Sequence, residues 1–160
     1  MAQSIGQAIR QTKPFRSLQE QVVINLMRTA RVVEEGWAHY LKRTEGISVS
    51  QYNILRILRG ARPQPAKISE VAERMITRDP DVTRLVDRLI KQGLVRRQRD
   101  TEDRRVVLVE ITGAGLALLS RLDEPAGEST EAAMAGLNAQ QLRTLDTLLN
   151  EVRAGIRPYP

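Results

Sequence analysis

Apolar residues recur three or four apart over most of this chain, and one stretch near its middle is instead rich in β-branched residues on either side of a charged turn. The first long stripe runs Val22, Leu26, Ala30, Val33, Trp37, Leu41, which is one face of a helix. Ser17 and Glu20 precede it with capping-box spacing, the serine able to meet the backbone amide at the glutamate's position. Val23, Met27 and Tyr40 widen the stripe beyond the needs of one domain face, and Gly46 ends it. Ser48 and Gln51 repeat the capping spacing before a second helix with Tyr52, Leu55, Ile57 and Leu58 apolar, stopped by Gly60. Pro63 and Pro65 mark a loop, and Lys67 with Ile68 allows a very short strand. Residues 69–75 read as a third helix with Val71, Ala72 and Met75 turned inward.

Asp79 and Pro80 predict the start of a fourth helix, a capping aspartate followed by proline at the first helical position. Val82, Leu85, Val86, Leu89 and Ile90 form its buried side, and at about 100° per residue Arg84, Asp87, Arg88 and Lys91 fall opposite. Gly93 supplies a left-handed cap. Residues 94–99 and 106–111 then read as two strands, rich in β-branched side chains and joined by a charged turn over 100–105. Thr112 caps a fifth helix through Leu116, Leu119 and Leu122, expected to kink or break at Pro125, which lacks the amide a helix interior requires. Asn138 and Gln141 open the last helix, apolar at Leu142, Leu145, Leu148, Leu149 and Val152. The polar, weakly patterned residues 1–16 read as a mobile arm, and the tail from Gly155 as frayed.

The fold class expected is mainly α with a small β-hairpin. The third and fourth helices, joined by a short turn near residues 75–78, form a helix-turn-helix, and the hairpin makes it winged. The organisation expected is an arm (1–16), an N-terminal helix (17–46), a winged helix-turn-helix domain (47–111) and C-terminal helices (112–160). The terminal helices carry more apolar surface than one small winged domain covers, so they are expected to build a dimerisation bundle.

Charge sharpens this picture. The net +6 is unevenly spread: residues 1–46 carry 7 basic and 4 acidic side chains, 47–111 carry 14 and 9, and 112–160 carry 4 and 6. The surplus peaks over the winged segment, where it would attract a polyanion. With no cysteine there is no disulfide, thiol catalysis or cysteine-ligated zinc, which fits a cytoplasmic protein. One histidine, no glycine-rich phosphate loop and no cluster of metal ligands leave no reaction to assemble, so neither an enzyme nor a cofactor is expected. No signal-peptide run and no membrane-length apolar stretch is present in the sequence.

Residues 81–89 (Asp-Val-Thr-Arg-Leu-Val-Asp-Arg-Leu), then Gly93-Leu94-Val95, then the turn from Asp100 to Arg105, then Ile111-Thr112 with Gly115, carry a resemblance to the MarR family of winged helix-turn-helix regulators. The resemblance covers about residues 47–119 and is carried most specifically by the Asp-x-x-Asp-Arg-Arg wing at this distance from the helix. It implies a homodimeric transcriptional regulator, most often a repressor, that binds a pseudo-palindromic stretch of double-stranded DNA. It also implies a small aromatic or phenolic effector held between the dimer helices and the winged domain.

Candidate DNA-binding residues follow. Arg84 and Arg88 stand one turn apart and either could fork onto a guanine edge or a phosphate, with Lys91 a further cation on the same side. Arg78, Asp81 and Thr83, near the helix start, are placed to approach bases; Asp81 could accept from a cytosine amino group, whereas Asp79 is better explained as a cap. The resemblance implies that Arg105 enters the minor groove braced by Asp103, with Arg104 a second candidate for the tip. Arg96, Arg97 and Arg99 are expected to meet phosphates or solvent. Trp37, His39, Tyr40 and Tyr52 are the residues able to line an effector crevice, although core packing is the usual explanation for Trp37 and Tyr52 and His39 need only be an exposed side chain. The alternative function is a winged-helix protein-interaction module without specific DNA binding, which would not need to keep Arg84, Arg88, Lys91 and Arg105.

Overall fold

The computed structural model describes residues 3–77, 81–99 and 106–156. Its helices are α1 (Ile5–Ala8), α2 (Leu18–Thr44), α3 (Val49–Ala61), α4 (Ile68–Glu73), α5 (Val82–Lys91), α6 (Gly113–Met134) and α7 (Ala139–Gly155). The strands β1 (Ala66–Lys67), β2 (Val95–Arg99) and β3 (Val107–Ile111) pair antiparallel in the order β1-β3-β2. The architecture is mainly helical with a small β-hairpin wing, as the periodicities predict. Two compact units divide the chain, Met1–Arg121 and Leu122–Pro160. Among the described residues no helix is long and apolar enough to cross a membrane.

In the first unit the most deeply buried side chains are aliphatic, among them Ile54, Leu55 and Leu58 from α3, Val71 from α4, Val86 and Leu89 from α5, Val95 and Val109 from the sheet. Burying each contributes about 1.5–3 kcal/mol, and the set draws on α3, α4, α5, β2 and β3 together. Local signals set the boundaries. Ser17 Oγ accepts the Glu20 amide at 3.1 Å, and Ser48 and Gln51 cap each other at 3.2 and 3.0 Å. α3 runs through Gly60 to Ala61 and stops at Arg62, whose ψ of 147° is extended. Pro63 disfavours a helical conformation in the residue before it, so the proline ends this helix where the glycine was expected to.

Three further differences from the sequence expectation have local causes. Residues 1–16 contain a helical turn, α1, closed by a capping box between Ser4 and Gln7 and anchored by the buried Ile5. α5 begins at Val82 with Asp81 as its cap, two residues later than the Asp79–Pro80 start, and those two residues lie outside the described ones. α6 continues through Pro125, so the expected break is not made. An internal proline removes one hydrogen bond from the ladder, a loss a helix of 22 residues tolerates.

In the second unit α7 is opened by Asn138 and Gln141, each accepting the other's backbone amide at 2.9 Å. None of its residues is buried. Leu145, Leu148 and Val152 stand exposed at helical spacing, and in the first unit α2 buries only Leu41 while Val22, Val23, Leu26, Met27, Val32 and Val33 stay exposed.

Candidate nucleic-acid interface

α5 is sharply two-sided. Val82, Val86 and Leu89 are buried, while Thr83, Arg84, Arg88 and Lys91 are exposed on the other side. Asp81 caps the helix by accepting the Arg84 amide at 3.3 Å, and its second carboxylate oxygen pairs with the Arg84 guanidinium at 3.0 Å. The role expected of Asp79 is therefore filled by Asp81, whose carboxylate is already engaged within its own helix. Among the described residues no carboxylate pairs with Arg88 or Lys91.

The turn that delivers the chain from α4 to α5 is held from outside. Asn53 on α3 accepts the Ile76 amide through its Oδ1 at 2.9 Å, giving a partner to a backbone donor in the turn beyond α4. At the other end of α5, Gly93 takes a φ of 73°, and the Gly93 and Leu94 amides close back on the Ile90 and Leu89 carbonyls at 2.9 and 3.0 Å. The chain then enters β2. Thr112, after β3, donates its hydroxyl to the Gly93 carbonyl at 2.7 Å and accepts the Gly115 amide at 3.1 Å. A Cβ on Gly115 would lie 2.4 Å from the Leu94 carbonyl oxygen and 2.6 Å from Ile111 Cγ1, so only glycine fits where α6 crosses the base of the hairpin.

Along β2, Val95 pairs with Ile111, Arg97 with Val109 and Arg99 with Val107, and side chains two apart share a face. That face starts as core at Val95 and ends exposed at Arg99. Arg97, between them, reaches Asp87 of α5 at 2.7 Å, and Arg96 on the opposite face pairs with Glu110 of β3. Arg96 and Arg97, expected to meet phosphates or solvent, are thus each committed to a carboxylate. The wing tip with Asp103, Arg104 and Arg105, and Arg78 before α5, lie outside the described residues.

Sequence reasoning missed Asn53 and the Asp87–Arg97 pair. A signal for the second was present: an acidic residue inside a cationic helix face needs a basic partner, and β2 supplies three arginines. Asn53 carried a weaker one, a polar side chain flanked on α3 by the buried Tyr52 and Ile54.

Three of the four candidate effector residues come together. Trp37 stacks on Tyr40 with ring centroids 5.3 Å apart and planes within 10°, and meets Tyr52 edge-on at 5.3 Å. The Arg56 guanidinium lies 5.9 Å from the Tyr52 ring centroid. Tyr52 is buried, Trp37 half-buried and Tyr40 exposed, so the cluster runs from the core to the surface. His39 is exposed and takes no part in these ring contacts. Among the described residues no group of acidic or histidine side chains is arranged to hold a metal ion.

Comparison with known proteins places this geometry. The MarR family model matches residues 47–107, from the start of α3 into β3. The HTH-type transcriptional repressor IacR of Pseudomonas putida is 32% identical over 87 residues, 54% of this chain. The match spans about half of that repressor, 52% of its length. A MarR transcription factor from Planctomyces limnophilus, known by crystal structure, is 38% identical with a TM-score of 0.64, covering 86% of this chain and 98% of the other. A MarR family regulator from Streptomyces coelicolor, solved in complex with DNA, shares the fold at a TM-score of 0.79 and 24% identity, covering 92% of this chain and 94% of that one. Since the winged segment matches the family model and a relative of that identity is spanned almost end to end, this chain belongs to the MarR family.

Proposed function

We propose that this protein is a transcriptional regulator, acting as a repressor, that binds double-stranded DNA as a homodimer. Each copy sets α5 in the major groove and its hairpin in the adjoining minor groove. The observation that carries this reading is the exposed cationic side of α5, with Arg84, Arg88 and Lys91 backed by the buried Val82, Val86 and Leu89. A helix so fixed from behind presents its cations at a defined angle, which groove recognition requires. Arg88 and Lys91, with no carboxylate partner among the described residues, are the contacts the reading relies on most. Asp81 and Thr83 stand at the start of α5, and from the sequence we assign Arg78, ahead of it, and Asp103, Arg104 and Arg105 between β2 and β3 to the same contact surface. Some of the relatives matched in sequence are named as repressors, IacR of Pseudomonas putida among them, which is the ground for that role here.

A second copy accounts for the apolar surface left open on the terminal helices. Met27 is 68% and Leu148 52% exposed, and burying such side chains against a two-fold partner removes them from water. Two-fold symmetry then sets two reading helices about one DNA turn apart, roughly 34 Å, and demands a pseudo-palindrome. The Trp37, Tyr40 and Tyr52 cluster offers ring faces to a small aromatic or phenolic effector. Such a ligand relieves repression only by binding better to the conformation that cannot span both half-sites.

The test is retention and footprinting of random genomic fragments by the purified protein. The expected result is protection of a pseudo-palindrome, with affinity falling steeply as salt rises. Arg88→Ala, if it removes one phosphate contact, is expected to lower the salt slope by about 1, and Arg105→Ala to weaken binding without changing the melting temperature. Retention of no fragment at low ionic strength contradicts the reading.

A further inference from the structure

The wing meets the reading helix through an ion pair in an unfavourable place. Asp87 lies on the polar side of α5 between Arg84 and Arg88, where a carboxylate repels phosphates and, on charge alone, weakens binding to any duplex. Its oxygen nevertheless accepts from Arg97 Nη2 at 2.7 Å. Neither flanking arginine explains it, since Arg84 is paired with Asp81 instead. Arg97 occupies the middle of the β2 face that begins as core at Val95; beyond it β2 carries only the exposed Gln98 and Arg99. The pair therefore sits where packed hairpin gives way to projecting hairpin. With side chains 39% and 45% exposed it is too wet to add much to folding stability. A charged fork at that position ties the hairpin base to α5.

We propose that the Asp87–Arg97 pair is a brace that fixes the reach of the wing relative to α5, which makes Asp87 a positioning residue for sequence-specific binding although its charge opposes binding. This rests on the DNA-binding reading above. It separates two effects that normally run together. Losing the carboxylate favours attachment to phosphates in general, whereas losing the brace lets the wing and the helix fall out of register with the two grooves they must enter together.

The experiment compares wild type, Asp87→Asn and the exchanged pair Asp87→Arg with Arg97→Asp. Each is titrated against a duplex selected by the wild type from a randomised library and against a scrambled duplex of equal length, with melting curves recorded to confirm folding. Asp87→Asn is expected to bind the selected duplex about fivefold more weakly per reading head, the ceiling for one exposed ion pair, while holding the scrambled duplex as tightly or more tightly. The exchanged pair is expected to restore the ratio of selected to scrambled affinity. The brace is refuted if Asp87→Asn binds the selected duplex as tightly as wild type, or if the exchange leaves the ratio as low as the single variant does. A wild type that selects no sequence overturns the DNA reading itself, and the brace with it.

Discussion

Gly115 shows how much one missing methyl decides. Its amide is taken by the Thr112 hydroxyl, and its Cα passes so near the Leu94 carbonyl that a side chain would overlap backbone. Backbone cannot swing aside as a side-chain end can, so Gly115→Ala must push α6 away from the hairpin base. The expected cost is about 1–3 kcal/mol, read as a lower denaturation midpoint with an unchanged slope. An unaltered midpoint would mean that the close approach is not kept in solution. Asp81 makes the complementary point about charge. An acid at the mouth of a cationic surface could accept from a base, and in the free chain its oxygens also meet the Arg84 amide and guanidinium. That geometry also pre-orders Arg84 along the helix, leaving Arg88 and Lys91 the freer cations of the set.

At the level of elements, the helix-turn-helix depends on a residue outside it. Asn53 belongs to α3, yet its side chain holds the Ile76 amide in the turn between α4 and α5. Asn53→Ala is expected to speed hydrogen exchange at Ile76 and to lower stability by about 1 kcal/mol, the net worth of one hydrogen bond whose donor water can still reach. Unchanged exchange at that amide would show that the turn holds itself. Much of the element order was legible beforehand because its signals are local. Capping pairs such as Ser48 with Gln51 and Asn138 with Gln141 act within one turn, and the β-branched runs on either side of a charged turn placed β2 and β3 within a residue of their ends. The start of α5 was misplaced because both Asp79 and Asp81 can cap, and the choice between them is made by where Val82 enters the core. The break allowed for at Pro125 is not made, since helix on both sides of it outweighs one lost bond. The Arg96–Glu110 and Arg97–Asp87 pairs were hidden because they join positions 14 and 10 residues apart, which only the hairpin register and its packing on α5 bring together.

At the scale of the whole molecule, the winged unit closes its own core while the terminal helices do not. α2 buries one residue and α7 none, although both carry apolar stripes at helical spacing. On the reading proposed above, a second copy covers this aliphatic surface, and two copies are also what a pair of reading helices needs to span one operator. Recognition and assembly are in this view one property, because separated chains would each reach a single groove segment and lose the affinity that comes from joining two. Native mass spectrometry of the protein mixed with a duplex selected from a randomised library puts this to trial. Two 18.0 kDa chains on each duplex, and none with one, is the result expected at low salt. A complex holding a single chain, or no complex on any duplex, would contradict it.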